Sequence, residues 1–240
     1  MNRRIHRTVM VLSLVLLTVH PANSAGPPNP TPSDPNGNTA GGTGALINNT
    51  TGRFNTAFGK DALSTNPTGS NNTASGFEVL RSNTTGGGNT ATGRWVLYFN
   101  TTGNNNTATG DEALFANTTG GANTVFGKDA LRTNTTGNAN TAFGQAALSA
   151  NKIGQRNTAV GLWALLANTG SNNTAMGWGA GNLHKTGDNN TYLGHPGVTD
   201  ESGTLRLEGV CKLPRVRHCE ELKATKQSHF RAEIASLRSQ

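Results

Sequence analysis

The chain has 240 residues, of which only 33% are hydrophobic and 14% charged, and 31 are glycine. That balance fits neither an ordinary globular enzyme nor a highly charged disordered chain, and it suits a turn-rich, repetitive β architecture. The net charge of +7 sits at the two ends, +3 in residues 1–24 and +4 in residues 210–240, so the body between is neutral and lacks the footprint of a phosphate binder.

Residues 1–24 read as a signal peptide. Arg3, Arg4 and Arg7 precede an apolar run from Val9 to Val19 that is too short to span a bilayer comfortably. Ala22 and Ser24 supply a small-x-small cleavage pattern, with cleavage after Ser24 as the first choice and after Ala25 as the second. A short membrane anchor or a buried helix is the alternative. Export predicts a secreted, extracellular or bacterial cell-surface location, where disulfides form. The two cysteines, Cys211 and Cys219, both lie in the tail, so the body is expected to hold together without covalent staples. Residues 25–37 form a Pro-rich linker, predicted to be an extended spacer without a core.

A repeat occupies residues 38–189. The phrase Asn-Thr-Ala-x-Gly starts at Asn38, Asn55, Asn72, Asn89, Asn106, Asn123, Asn140, Asn157 and Asn173, with a degenerate start at Asn190. The interval is 17 residues, except for 16 between Asn157 and Asn173, where one residue of the N-T-T-G turn is missing. Counting each coil from its opening Asn, Ala stands at the third position (with Val125 the exception) and Gly at the fifth, and in the eight coils from Asn38 to Asn157 Ala or Val stands at the eighth and Leu at the ninth, with an N-T-T-G turn cluster after them. A fixed period of this kind marks a solenoid or array. Recurrent Gly, Asn and Thr interrupt any long helix, so two short strands joined by turns are expected in each coil. Coils stacked about 4.8 Å apart place nine repeats over roughly 43 Å, with identical residues in ladders. One Leu per coil contributes about 1.5–3 kcal/mol against a backbone-ordering cost of about 1–2 kcal/mol per residue, so a coil needs neighbouring coils, and neighbouring chains as well are expected.

The stretch "NTAFGKDALSTN…TGSNNTASG" resembles the head repeats of trimeric autotransporter adhesins (YadA-like heads). It is also similar to the NTAxGxxALxxNTTG arrays of bacterial surface and tail-fibre-like proteins. The resemblance covers about Asn38 to Gly209. It implies an all-β fold, a left-handed parallel β-roll (a β-solenoid) of 17-residue coils, with three chains wound side by side as a homotrimer. The implied role is adhesion or surface display, directed at a host-surface protein or glycan that the sequence does not name. Residues 190–209 look like the strand pair that closes such arrays. Residues 210–240 lack the repeat grammar, gain charge abruptly, and read as out of frame or otherwise foreign to the array. The rival reading there is an amphipathic helix through Leu222, Lys226, Phe230, Ile234 and Leu237. No run of alternating segments for a β-barrel anchor and no membrane span after the signal peptide are expected.

Nothing converges on catalysis, so no enzyme, catalytic residue, cofactor or metal site is expected. Lys60 and Lys128 lie in "FGKDAL", but a phosphate loop needs Ser or Thr after its Lys, and these are read as exposed turns. His184 and His195 show no ligand spacing and are read as solvated loop residues. Asp111 and Glu112 occupy variable positions where other coils carry Lys-Asp, Arg-Trp or Leu-Trp. The informative irregularities are aromatic: Trp95, Tyr98, Phe99, Trp163 and Trp178 are candidate partner contacts if exposed and a seam between chains if buried, with the seam preferred. A second reading is ice or carbohydrate-lattice binding by a hydroxyl row of Thr56, Thr73, Thr90, Thr107, Thr124, Thr141 and Thr158. Against it, the repeat offers one reliable Thr per strand rather than an outward pair.

Overall fold

A computed structural model describes residues 35–207. The signal peptide, most of the linker, both cysteines and the tail with its rival helix lie outside the described residues. Eleven short strands form one sheet in sequence order: β1 (Thr39–Gly41), β2 (Thr56–Phe58), β3 (Thr73–Phe77), β4 (Thr90–Arg94), β5 (Thr107–Asp111), β6 (Thr124–Phe126), β7 (Thr141–Phe143), β8 (Thr158–Val160), β9 (Thr174–Met176), β10 (Thr191–Leu193) and β11 (Leu205–Leu207). Every neighbouring pair is parallel, and the Thr of each of β1 to β9 faces the Thr of the next strand. The molecule is a β-solenoid of 17-residue coils.

Each coil carries one strand, not the two expected. The second half of the repeat is turn, because three of its backbones adopt left-handed geometry. In the coil that starts at Asn106, Glu112 has φ 56° and Leu114 φ 52°, and the coil closes through Ala122 at φ 57°. A side chain in this conformation costs about 1–2 kcal/mol, and a strand cannot run through it. At the ninth position burial offsets the cost: Leu63, Leu80, Leu97, Leu114, Leu131, Leu148 and Leu165 are fully buried, each contributing about 1.5–3 kcal/mol. With the Ala of the third position and the Ala or Val of the eighth, they form a thin continuous core.

Two ladders of buried asparagine flank that core. At the first position, the Oδ1 of Asn89 accepts the backbone N–H of Asn106 (3.0 Å) and its Nδ2–H (3.1 Å), while Asn106 Nδ2 also donates to the Gly120 carbonyl (2.9 Å). Amide contacts of this kind run from Asn38 to Asn190. At the twelfth position a second ladder runs through Asn49, Asn66, Asn83, Asn100, Asn117, Asn134 and Asn151. Buried amides must be paired, and here each coil satisfies its neighbour. The Thr after the twelfth position adds an outer row: Thr84, Thr101 and Thr118 hydroxyls donate to the carbonyls of Thr101, Thr118 and Thr135.

The short coil breaks the second ladder. Asn168 Nδ2 turns to the Gly170 carbonyl (3.1 Å) and its Oδ1 accepts from Asn173, leaving the buried Asn151 Oδ1 without a partner. The deletion is accommodated in the turn, as expected, but it orphans an acceptor one coil away. Inserting one Thr between Asn168 and Thr169 restores the register and is expected to stabilise the rod by about 1–3 kcal/mol. Thermal unfolding followed by circular dichroism measures this, and an unchanged or lowered midpoint would count against the ladder account.

The C-terminal end departs from the repeat. His184 stands at the twelfth position of its coil and is fully buried, not solvated as its loop setting suggested. It replaces the ladder Asn: its Nε2 lies 3.2 Å from the Gly187 carbonyl, the same contact that Asn117 makes with Gly120. Tyr192 fills the third position in place of Ala, packed 5.4 Å from the His184 ring. Behind it, Arg206 pairs with Glu201 (2.7 Å), and β11 lies along β10. Burial, reinforced by the Glu201 carboxylate, raises the Tyr192 phenol far above its usual range. Burial alone would raise Glu201, but the Arg206 guanidinium and the other groups around it hold the carboxyl below its ordinary 4.5. A depressed carboxyl contributes stability that is present above its unfolded value and is lost as pH falls through the folded one. Protection of the β10 and β11 amides, taken relative to their intrinsic exchange rates, is therefore expected to fall below about pH 4.5 in the native chain, and much less in Arg206→Ala. Equal acid sensitivity in both proteins would refute this role for the pair.

Candidate binding faces

Along each strand the third residue points inward, so the second and fourth point out. The outward second positions carry Thr39, Thr56, Thr73, Thr90, Thr107, Thr124, Thr141, Thr158, Thr174 and Thr191, an unbroken in-register row. From Thr56 onward no hydroxyl of this row is held by a bond to another of the described residues, unlike the row of Thr84, Thr101 and Thr118. Beyond Gly41 on β1 and Phe58 on β2, the outward fourth positions divide into two zones. On β3, β4 and β5 they are Ser75, Thr92 and Thr109, so Thr73, Thr90 and Thr107 do stand in outward hydroxyl pairs there. On β6 to β10 they are Phe126, Phe143, Val160, Met176 and Leu193, an apolar stripe in which the Phe126 and Phe143 rings stack at 4.9 Å and 11°. Reading a consensus hid both zones, because the fourth position is the x of Asn-Thr-Ala-x-Gly.

The five predicted aromatic residues do not form one cluster. Trp95 lies on the turn after β4, tilted against Phe77 (6.3 Å) and capped by Arg94, whose Cζ is 4.2 Å from its ring. Trp163 and Trp178 pair at 5.9 Å beside the apolar stripe, and Trp178 is 68% exposed. Tyr98 and Phe99 lie on a different edge, at the tenth and eleventh positions, with Phe115 between them at 5.4 and 5.1 Å. In the single chain Phe99, Trp163 and Trp178 are exposed, and Trp95 and Tyr98 are half-buried.

Asp111 and Glu112 are used structurally. Arg94 grips Asp111 through two hydrogen bonds (2.8 and 3.1 Å), which hold the carboxyl below its usual range, and Arg132 donates to Glu112 (2.6 Å). Such exposed pairs add little to stability, and they align adjacent coils. Lys60 and Lys128 are exposed on the turn, and His195 is half-exposed with its Nδ1 accepting the Gly197 amide. Among the described residues no group of three or more His, Cys, Asp or Glu could hold a metal, and no helix is long and apolar enough to cross a membrane.

These features define the chain as a parallel β-solenoid repeat protein whose distinguishing chemistry lies on its outward faces. Compared with protein-family models, curated proteins and solved structures, it matches none.

Proposed function

We propose that this chain is a non-enzymatic, secreted or cell-surface attachment rod, adhesin-like in role, that assembles as a homotrimer. The observation that carries the proposal is the unpartnered outward face of the sheet: ten in-register Thr residues beside the stripe Phe126, Phe143, Val160, Met176 and Leu193. A contiguous apolar row on a neutral sheet favours burial against another copy. Sedimentation velocity over a range of concentrations tests it. A trimer that Phe143→Glu dissociates supports the reading, whereas a persistent monomer with intact β signal would falsify it.

The hydroxyl pairs on β3, β4 and β5 favour a second reading, binding of a regular lattice such as ice or crystalline carbohydrate. Hydroxyls are repeated about 4.8 Å across strands and about 6.7 Å along them, on a backbone that does not tie them up. Thermal hysteresis abolished by Thr90→Leu together with Thr107→Leu would favour this reading over trimer formation.

A further inference from the structure

The variable tenth position carries a planar side chain in four consecutive coils. Where the other coils place Ile47, Ser64, Ser149, Leu166 and Asn182, these place Arg81, Tyr98, Phe115 and Arg132. Their planar groups stack along the rod. The Arg81 guanidinium lies 5.6 Å from the Tyr98 ring, the Tyr98 and Phe115 rings stack at 5.4 Å and 23°, and the Arg132 guanidinium lies 5.5 Å from Phe115. Phe99 stands edge-on to both rings, at 4.7 and 5.1 Å, and is 45% exposed. The rings are thus fixed before any ligand arrives, which lowers the ordering cost of binding.

The two ends of this stack differ in charge. Arg132 is neutralised by Glu112 at 2.6 Å. Arg81 donates to the Tyr98 hydroxyl (2.9 Å) and has no carboxylate within ion-pair distance among the described residues. The Tyr98 and Phe115 rings face each other and the two guanidinium groups, so Phe99, 45% exposed and nearly perpendicular to both, is the ring that offers a face beyond the stack; with the one uncompensated guanidinium it matches the C–H face of a sugar ring and a carboxylate beside it. The geometry also matches an extended glycan, since a linear chain of pyranoses advances by roughly the 4.8 Å spacing of stacked strands for each sugar.

We infer that Arg81, Tyr98, Phe99, Phe115 and Arg132 form a binding site for a linear acidic polysaccharide lying along the rod, with a uronate-type carboxylate on Arg81. A seam between chains explains the cluster less well. The surface that continues through every coil is the outward strand face, whereas this stack is confined to four coils and keeps both guanidinium groups wet. The inference rests on the attachment reading for its biological use, but its test is independent of the trimer.

The test is calorimetric titration of the full chain with a hyaluronan hexasaccharide, and with cellohexaose as the uncharged counterpart. Saturable binding of the uronate oligosaccharide is expected, weakened at least tenfold by Tyr98→Ser and by Phe115→Ser. Arg81→Gln should remove the preference for the acidic chain while leaving the weaker neutral binding. Sedimentation of the same variants distinguishes the alternatives. If Tyr98→Ser or Phe115→Ser changes the oligomeric state, the stack is a seam and the site is overturned. Absence of saturable binding to the uronate oligosaccharide also overturns it, as does binding indifferent to Tyr98 and Phe115. Should the chain prove monomeric yet bind, the trimer fails and the site stands.

Discussion

Gly93→Ala should disrupt the middle of the rod. Gly93 sits at φ +137°, and a methyl group there would point into the backbone of Gly110 in the next coil, well inside contact with its carbonyl oxygen and 2.9 Å from its carbonyl carbon. Neither the strain nor the clash can be relieved by a side-chain rotation, since the opposing atoms are backbone. A loss of about 3–5 kcal/mol is expected. Gly177→Ala separates the two causes: it has the same left-handed geometry, φ +119°, but its nearest neighbour is 3.3 Å away. Its cost should be the conformational strain alone, about 1–2 kcal/mol. Because coils contact only their neighbours, Gly93→Ala should also split unfolding into two transitions. Urea denaturation followed at two wavelengths measures both effects, and equal losses in the two variants would refute the clash.

Asn106→Ala is expected to cost a comparable amount. It deletes the acceptor for the backbone N–H and the Nδ2 of Asn123 (both 3.0 Å) and the donor to Asn89 and Gly120. Gly120 keeps its bond from Asn117, and Asn89 keeps the Asn106 amide, so the orphan is the buried N–H of Asn123. An unsatisfied buried donor costs about 1–3 kcal/mol, to which the lost bonds add. Asn106→Asp sharpens the test. Its carboxyl keeps the acceptor but places oxygen against the Asn89 and Gly120 oxygens. Burial raises its folded-state pKa, so stability is present below the unfolded value, about 3.9, and is lost as pH rises through the folded one. Asn106→Asp should therefore gain stability relative to Asn106→Ala on acidification, and a pH-independent gap between the two would contradict the ladder geometry.

Much of this architecture is legible in the sequence because a solenoid repeats each physical requirement. Leu114 is read as core since its equivalents recur in eight consecutive coils, and Gly93 stands out at the fifth position by the same recurrence. The single strand per coil is less legible, because Leu and Glu give no sign of the left-handed backbone they adopt at Leu114 and Glu112. His184 looks like a loop residue until it is counted as the twelfth residue of its coil. Among the candidate sites, Tyr98 and Phe99 stand out in their own coil, but Arg81, Phe115 and Arg132 become visible only when coils are aligned one above another. The outward hydroxyl pairs escape for a related reason: they occupy a variable position of the repeat.

The broken asparagine ladder has a mechanical consequence. The first and last strands lie at opposite edges of the sheet, so tension applied between the two ends of the rod pulls each strand away from its neighbour. Under such a load the links act in series, and the rod opens at its weakest one. The weaker links begin where Asn151 meets the short coil, since every regular coil from Asn66 to Asn151 is tied to the one before it through both amide rows, whereas from the short coil onward only the first row continues from coil to coil. A rod built this way carries its own fuse: under tension it would extend beyond Asn151 first and leave the seven coils before the short one folded.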